Sequence, residues 1–123
     1  MNSKVTTALR IILGLLLIVF GANKFLMFMP SPELPEAAAE FMGALGKTGY
    51  MFYLIGAVEV VAGLLLVIKK WVPFALILFA PVAVNILLYH LKLDIANIGP
   101  GILISLITVI LIYANWNHYK SLF

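Results

Sequence analysis

A chain of 123 residues is enough for one domain. Hydrophobic residues make up 64% of it and charged residues 11%, against about 25% charged in a soluble domain, so lipid must be the solvent for part of the surface. The net charge of +3 forms no basic patch interleaved with aromatics, which argues against nucleic acid as a partner. The lack of cysteine excludes disulfides, CxxC redox chemistry and thiolate metal sites within the chain.

The pattern predicts an all-α polytopic membrane protein: a single domain over residues 1–123 with four spans, near 5–24, 50–68, 72–91 and 98–115. The first span has some signal-peptide character, with Lys4 and Arg10 ahead of "IILGLLLIVF". Cleavage after Ala22 would put Phe20 where a small side chain is needed, so the segment reads as a retained span. Arg10, Gly14, Leu17, Gly21 and Lys24 fall within an arc of about 80° on it.

The connection over 26–49 turns helical from Pro35, with Glu36 in the first turn and Gly46 as a stop. Leu34, Ala38, Phe41, Met42 and Leu45 share one side, so an amphipathic helix over about 35–46 is expected at the interface or over the mouth of the bundle. It reads either as a packing lid or as a gate that admits substrate.

In the second span, Gly49, Gly56, Glu59 and Gly63 share a face. Small residues there let another helix approach closely, so the glycine stripes of the first two spans should meet. Arg10 lies about 7 Å to one side of the first span's centre and Lys24 about 14 Å to the other. That depth, and the fork of the guanidinium, favour an Arg10–Glu59 ion pair, with Lys24 snorkelling to the interface. Two readings of Glu59 stand: a structural ion pair, or a carboxylate that handles protons or binds a ligand.

In the third span Pro81 leaves the Ile77 carbonyl without its usual donor. Asn85 and Tyr89 come next on one side and His90 ends the span, so Glu59, Asn85, Tyr89 and His90 are the ligand-pocket candidates. Asn85 reads equally as an interhelical hydrogen-bonding group. Ser105, Thr108 and Asn115 trace a weak polar line on the fourth span. His118 stands at the opposite membrane face from His90, so one chain cannot bring the two to a single metal or haem, and no metal site is expected. Known catalytic motifs are absent, so no catalytic residue is assigned.

With four spans, the termini share a side with the turn at 69–71. Lys4, Lys69, Lys70 and Lys120 mark that side, with Arg10 just inside the membrane. The other side carries Lys24, Lys47 and Lys92 beside Glu33, Glu36, Glu40 and Asp94. The positive-inside rule then places both termini in the cytoplasm. Trp71, Tyr113, Trp116 and Tyr119 fit an aromatic belt at that face.

The segments "LRIILGLLLIVFGANKF", "MPSPELPEAAAEFMGALGKTGY", "GAVEVVAGLLLV" and "WVPFALILFAPVAVNILLYH", in this order, resemble the DoxX family of small membrane proteins. The resemblance implies a four-helix bundle in the bacterial cytoplasmic membrane. DoxX-like proteins take their name from quinone-linked sulfur oxidation, and some accompany membrane oxidoreductases; distant eukaryotic relatives look like assembly chaperones or cargo receptors. The resemblance, taken with the polar groups that converge in an apolar bundle, implies a redox-associated protein, an accessory subunit or binding protein more than a self-sufficient enzyme. It would bind a quinone or similar amphiphile within the membrane, with no covalently held cofactor. Its partners would be the bilayer and an oxidoreductase or other membrane protein, with a homo-oligomer as a further option. A scaffold or assembly factor is the alternative, and a small-molecule transporter a weaker one.

Overall fold

The computed structural model describes residues 3–29 and 33–123. The start of the proline-rich "PSPELP" connection, residues 30–32, lies outside the described residues. Five α-helices run in order: α1 (Ser3–Leu26), α2 (Glu36–Lys47), α3 (Met51–Val67), α4 (Val72–Leu93) and α5 (Gly99–Ala114). Short 3-10 turns occupy Ile95–Asn97, Trp116–His118 and Lys120–Leu122, and there is no strand among the described residues.

The protein is an all-α polytopic membrane protein. Helices α1 and α4, at 24 and 22 residues, are each long and apolar enough to cross a bilayer. Helices α3 and α5, at 17 and 16 residues, are near the lower limit for a span, and the segments beside them, α2 and Trp116–Leu122, bend away by 90° and 65°. The four pack as a bundle in the cyclic order α1, α3, α4, α5. The start of α1, the segment after α5 and the α3–α4 turn lie at one end, here the terminal face; α2 and the 94–97 turn lie at the other, the loop face.

Leu13, Leu17, Leu66, Leu76, Phe79 and Leu111 are fully buried and fill the centre. Large apolar side chains such as Leu15, Leu64, Leu88 and Leu106 are instead turned outward. In water that exterior would be costly; against acyl chains it is the matching solvent.

The α1–α3 seam is the closest in the bundle. A Cβ on Gly63 would stand 2.6 Å from the Gly14 carbonyl oxygen, and one on Gly21 2.8 Å from the Gly56 carbonyl oxygen. Two glycine pairs, each spaced by seven residues along its helix, thus bring the backbones together, as expected for small-residue membrane packing.

Helix α2 meets α3 at 90° and so lies across the bundle rather than along it. Gly49, at φ +79, makes the corner, a conformation that costs glycine little. Thr48 serves both helices: its hydroxyl donates to the Leu45 carbonyl at 2.6 Å and accepts from the Met51 N–H at 3.0 Å. Ala38 is buried and Leu34, Phe41, Met42 and Leu45 are half-buried, while Glu36, Glu40 and Lys47 are exposed. The apolar side of α2 therefore rests on α3 and α4.

Candidate functional site

The intramembrane ion pair differs from the sequence expectation. Glu59 Oε1 lies 2.6 Å from Lys24 Nζ, not against Arg10. The carboxylate side chain is 3% exposed and the lysine 24%. Arg10, itself buried, donates through Nη1 to the carbonyls of Leu66 and Val67, the latter at 3.2 Å. It thereby adds a donor at the last turn of α3, where carbonyls run short of full helical partners.

Two physical reasons decide the pairing. The glycine pairs set Glu59 level with Gly21, whose Cβ, if present, would be 3.0 Å from that of Glu59. Lys24 is then three residues away along α1, about 4.5 Å, whereas Arg10 is eleven residues away, about 16 Å. Helical side chains also lean toward their own N-terminus. In this antiparallel pair Lys24 leans down toward Glu59 and Glu59 leans up toward it, while Arg10 leans away.

The other candidates separate. Tyr89 is buried, with its ring 5.5 Å from that of Phe41 on α2. Its hydroxyl has no hydrogen-bond partner. Asn85 is exposed on the lipid-facing side of α4, beside Val84 and Leu88. His90 sits at the α4–α5 seam: Nδ1 lies 2.8 Å from the Ile86 carbonyl oxygen, and the ring fills the space left by Gly101. Glu59 and Tyr89 thus face the interior from α3 and α4, and Asn85 does not join them.

Sequence reasoning gave little weight to three groups. Lys24 supplies the cation that Glu59 needs. Ser105 on α5 has a buried hydroxyl with no partner, as Tyr89 does. Asp94, also buried, accepts two bonds from the Asn97 amide at 2.9 and 3.0 Å. The glycine spacing carried the signal for Lys24; nothing in the sequence separated Ser105 from an ordinary interhelical serine.

The loop-face half of the bundle therefore holds one ion pair and two buried hydroxyls with unspent hydrogen bonds, under a crosswise amphipathic helix. Among the described residues no group of three or more histidine, aspartate or glutamate side chains could hold a metal ion. Among the described residues, cavities lie on the outer side of α2 and at the terminal face.

The model of the DoxX family matches residues 5–91, from the first turns of α1 nearly to the end of α4. The chain belongs to the DoxX family. The matched region contains Arg10, Lys24, Glu59, Asn85, Tyr89 and His90, whereas Ser105 lies beyond it. No curated protein and no solved structure matches the chain.

Proposed function

We propose that this DoxX-family protein is a redox-associated membrane protein that takes the polar head of a quinone-like amphiphile into the loop-face half of its bundle. The observation that carries the reading is the pair of buried, unpartnered hydroxyls, Tyr89 and Ser105. Buried donors almost always find an acceptor, and the carbonyl oxygens of a quinone would supply one that the protein does not.

Reducing a quinone to a quinol takes two electrons and two protons. A partner oxidoreductase supplies the electrons. Tyr89 and Ser105 orient the ring by donating to its oxygens, and Glu59, held beside Lys24, is the group suited to pass protons. Entry requires α2 to shift, because it covers Tyr89 through Phe41. In this reading the protein sits in the bacterial cytoplasmic membrane with both termini in the cytoplasm. Protein purified in mild detergent should retain a quinone detectable by mass spectrometry, and Tyr89→Phe should lower its affinity about tenfold, the worth of one hydrogen bond. Protein that retains none, and whose quinone affinity is unmoved by Tyr89→Phe and Glu59→Gln, would defeat the proposal.

A second reading, as a scaffold or assembly factor, is favoured by Asn85. An amide exposed on a lipid-facing helix is a costly group that a partner helix would satisfy. A photo-crosslinker at residue 85 should capture one stable membrane partner under this reading; capture of lipid only would count against it.

A further inference from the structure

The cavity at the terminal face is unrelated to that reading. It has a volume of about 310 Å³ and lies where α1, the α3–α4 turn and the end of α5 converge. Its polar lining is Arg10, Lys69, Ser3, Thr6, Thr7 and Asn115. That makes two cations, three hydroxyls and an amide, with no carboxylate.

The charge distribution of the whole chain bears on what fits there. All five acidic side chains, Glu33, Glu36, Glu40, Glu59 and Asp94, lie away from this end. Five of the eight cations, Lys4, Arg10, Lys69, Lys70 and Lys120, lie at it. The cavity therefore sits in a net positive field. Helix α4 begins at Val72 in the cavity wall, which adds the positive end of its dipole.

Arg10 is the built element of the site. It is 8% exposed, and its position is fixed by the α3 carbonyls. Both of those bonds use Nη1, and a guanidinium carries five N–H donors in a planar fork. The remaining donors, with the Ser3 and Thr7 hydroxyls, match the oxygens of a tetrahedral anion.

The geometry points to a binding site for a phosphate group in the terminal-face cavity, held by Arg10, Lys69 and the Ser3 and Thr7 hydroxyls. The group comes either from the headgroup of an anionic phospholipid or from a soluble phosphate, and the two share this chemistry.

The test uses the full chain in nanodiscs. Lys69→Asn with Thr7→Val removes one charge and one hydroxyl and leaves the Arg10 anchor in place. Asparagine suits position 69, where φ is +57. Inorganic phosphate is titrated into protein in phosphatidylcholine nanodiscs, and retained lipid is read by native mass spectrometry from nanodiscs containing phosphatidylglycerol. Saturable binding of either probe, weakened at least tenfold in the double variant with an unchanged melting temperature, supports the site. Phosphate binding identifies the soluble source, and selective phosphatidylglycerol retention the lipid one. Should the double variant melt lower, Thr7→Val alone, at an exposed position, is compared in the same way. Absence of saturable binding of both probes, or equal binding by wild type and the variants that keep their melting temperature, overturns the proposal.

Discussion

Gly14 and Gly63 approach so closely that a methyl group on Gly63 would stand 2.6 Å from the Gly14 carbonyl oxygen. Backbone cannot yield as a flexible side chain can, so Gly63→Ala should cost about 1–3 kcal/mol through overpacking. Gly43→Ala makes the control. It is helical with nothing within 4 Å of the added carbon, so it should be neutral or stabilise by about 0.5–1 kcal/mol. Thermal melting of the detergent-solubilised variants reads both, and equal melting of the two would contradict the close α1–α3 seam.

The Lys24–Glu59 pair is expected to behave as a unit. Lys24→Met leaves a buried carboxylate without its cation, which should cost about 3 kcal/mol. Lys24→Met with Glu59→Met removes both charges and should be less destabilised than Lys24→Met alone. A double-mutant cycle measures that coupling. Arg10→Met combined with Glu59→Met should be close to additive, because Arg10 binds α3 carbonyls instead.

Tyr119, beyond the last span, ties the tail to the start of α4 by donating to the Pro73 carbonyl at 2.7 Å. Burial pushes its phenol up to about 12, from about 10 in an unfolded chain. The folded form therefore favours the neutral phenol. Its contribution to stability is fully present below about pH 10 and is lost as the pH rises through 12. Tyr119→Phe should shrink the high-pH phase of a spectrophotometric titration and lower stability by about 1 kcal/mol.

Gly49 sets the right angle between α2 and α3 with φ at +79. Gly49→Ala finds open space but a strained backbone, and should cost about 1 kcal/mol or more. Because the strain falls at the corner, hydrogen exchange should rise in α2 before it rises in α1. Uniform change across the helices would show that α2 is not held through this corner.

Much of the architecture could be read from hydropathy, because a lipid-solvated chain needs long apolar runs and announces them. The sidedness of α2 was equally legible, since Ala38, Phe41, Met42 and Leu45 recur at helical spacing. The pairing of charges was harder. Arg10 and Lys24 lie on one stripe of α1, and choosing between them from span centres treats α1 and α3 as if their midpoints were level. The glycine contacts set the register differently, and the lean of each side chain along its helix then favours Lys24. Asn85 and Tyr89 show a second limit. They are four residues apart on α4, yet one faces lipid and the other the core, because the boundary between those two solvents runs between them. Spacing alone cannot place that boundary; it depends on where α3 and α5 rest against α4.

The paired glycines have a mechanical consequence. Where two backbones touch carbonyl to Cα, no side chain can rotate to admit a gap, so α1 and α3 form one stiff spine. Any opening of the bundle must fall at the seams with α4 and α5. Lys24 and Glu59 ride together on the spine, while Tyr89 and Ser105 belong to the part that can move away from it.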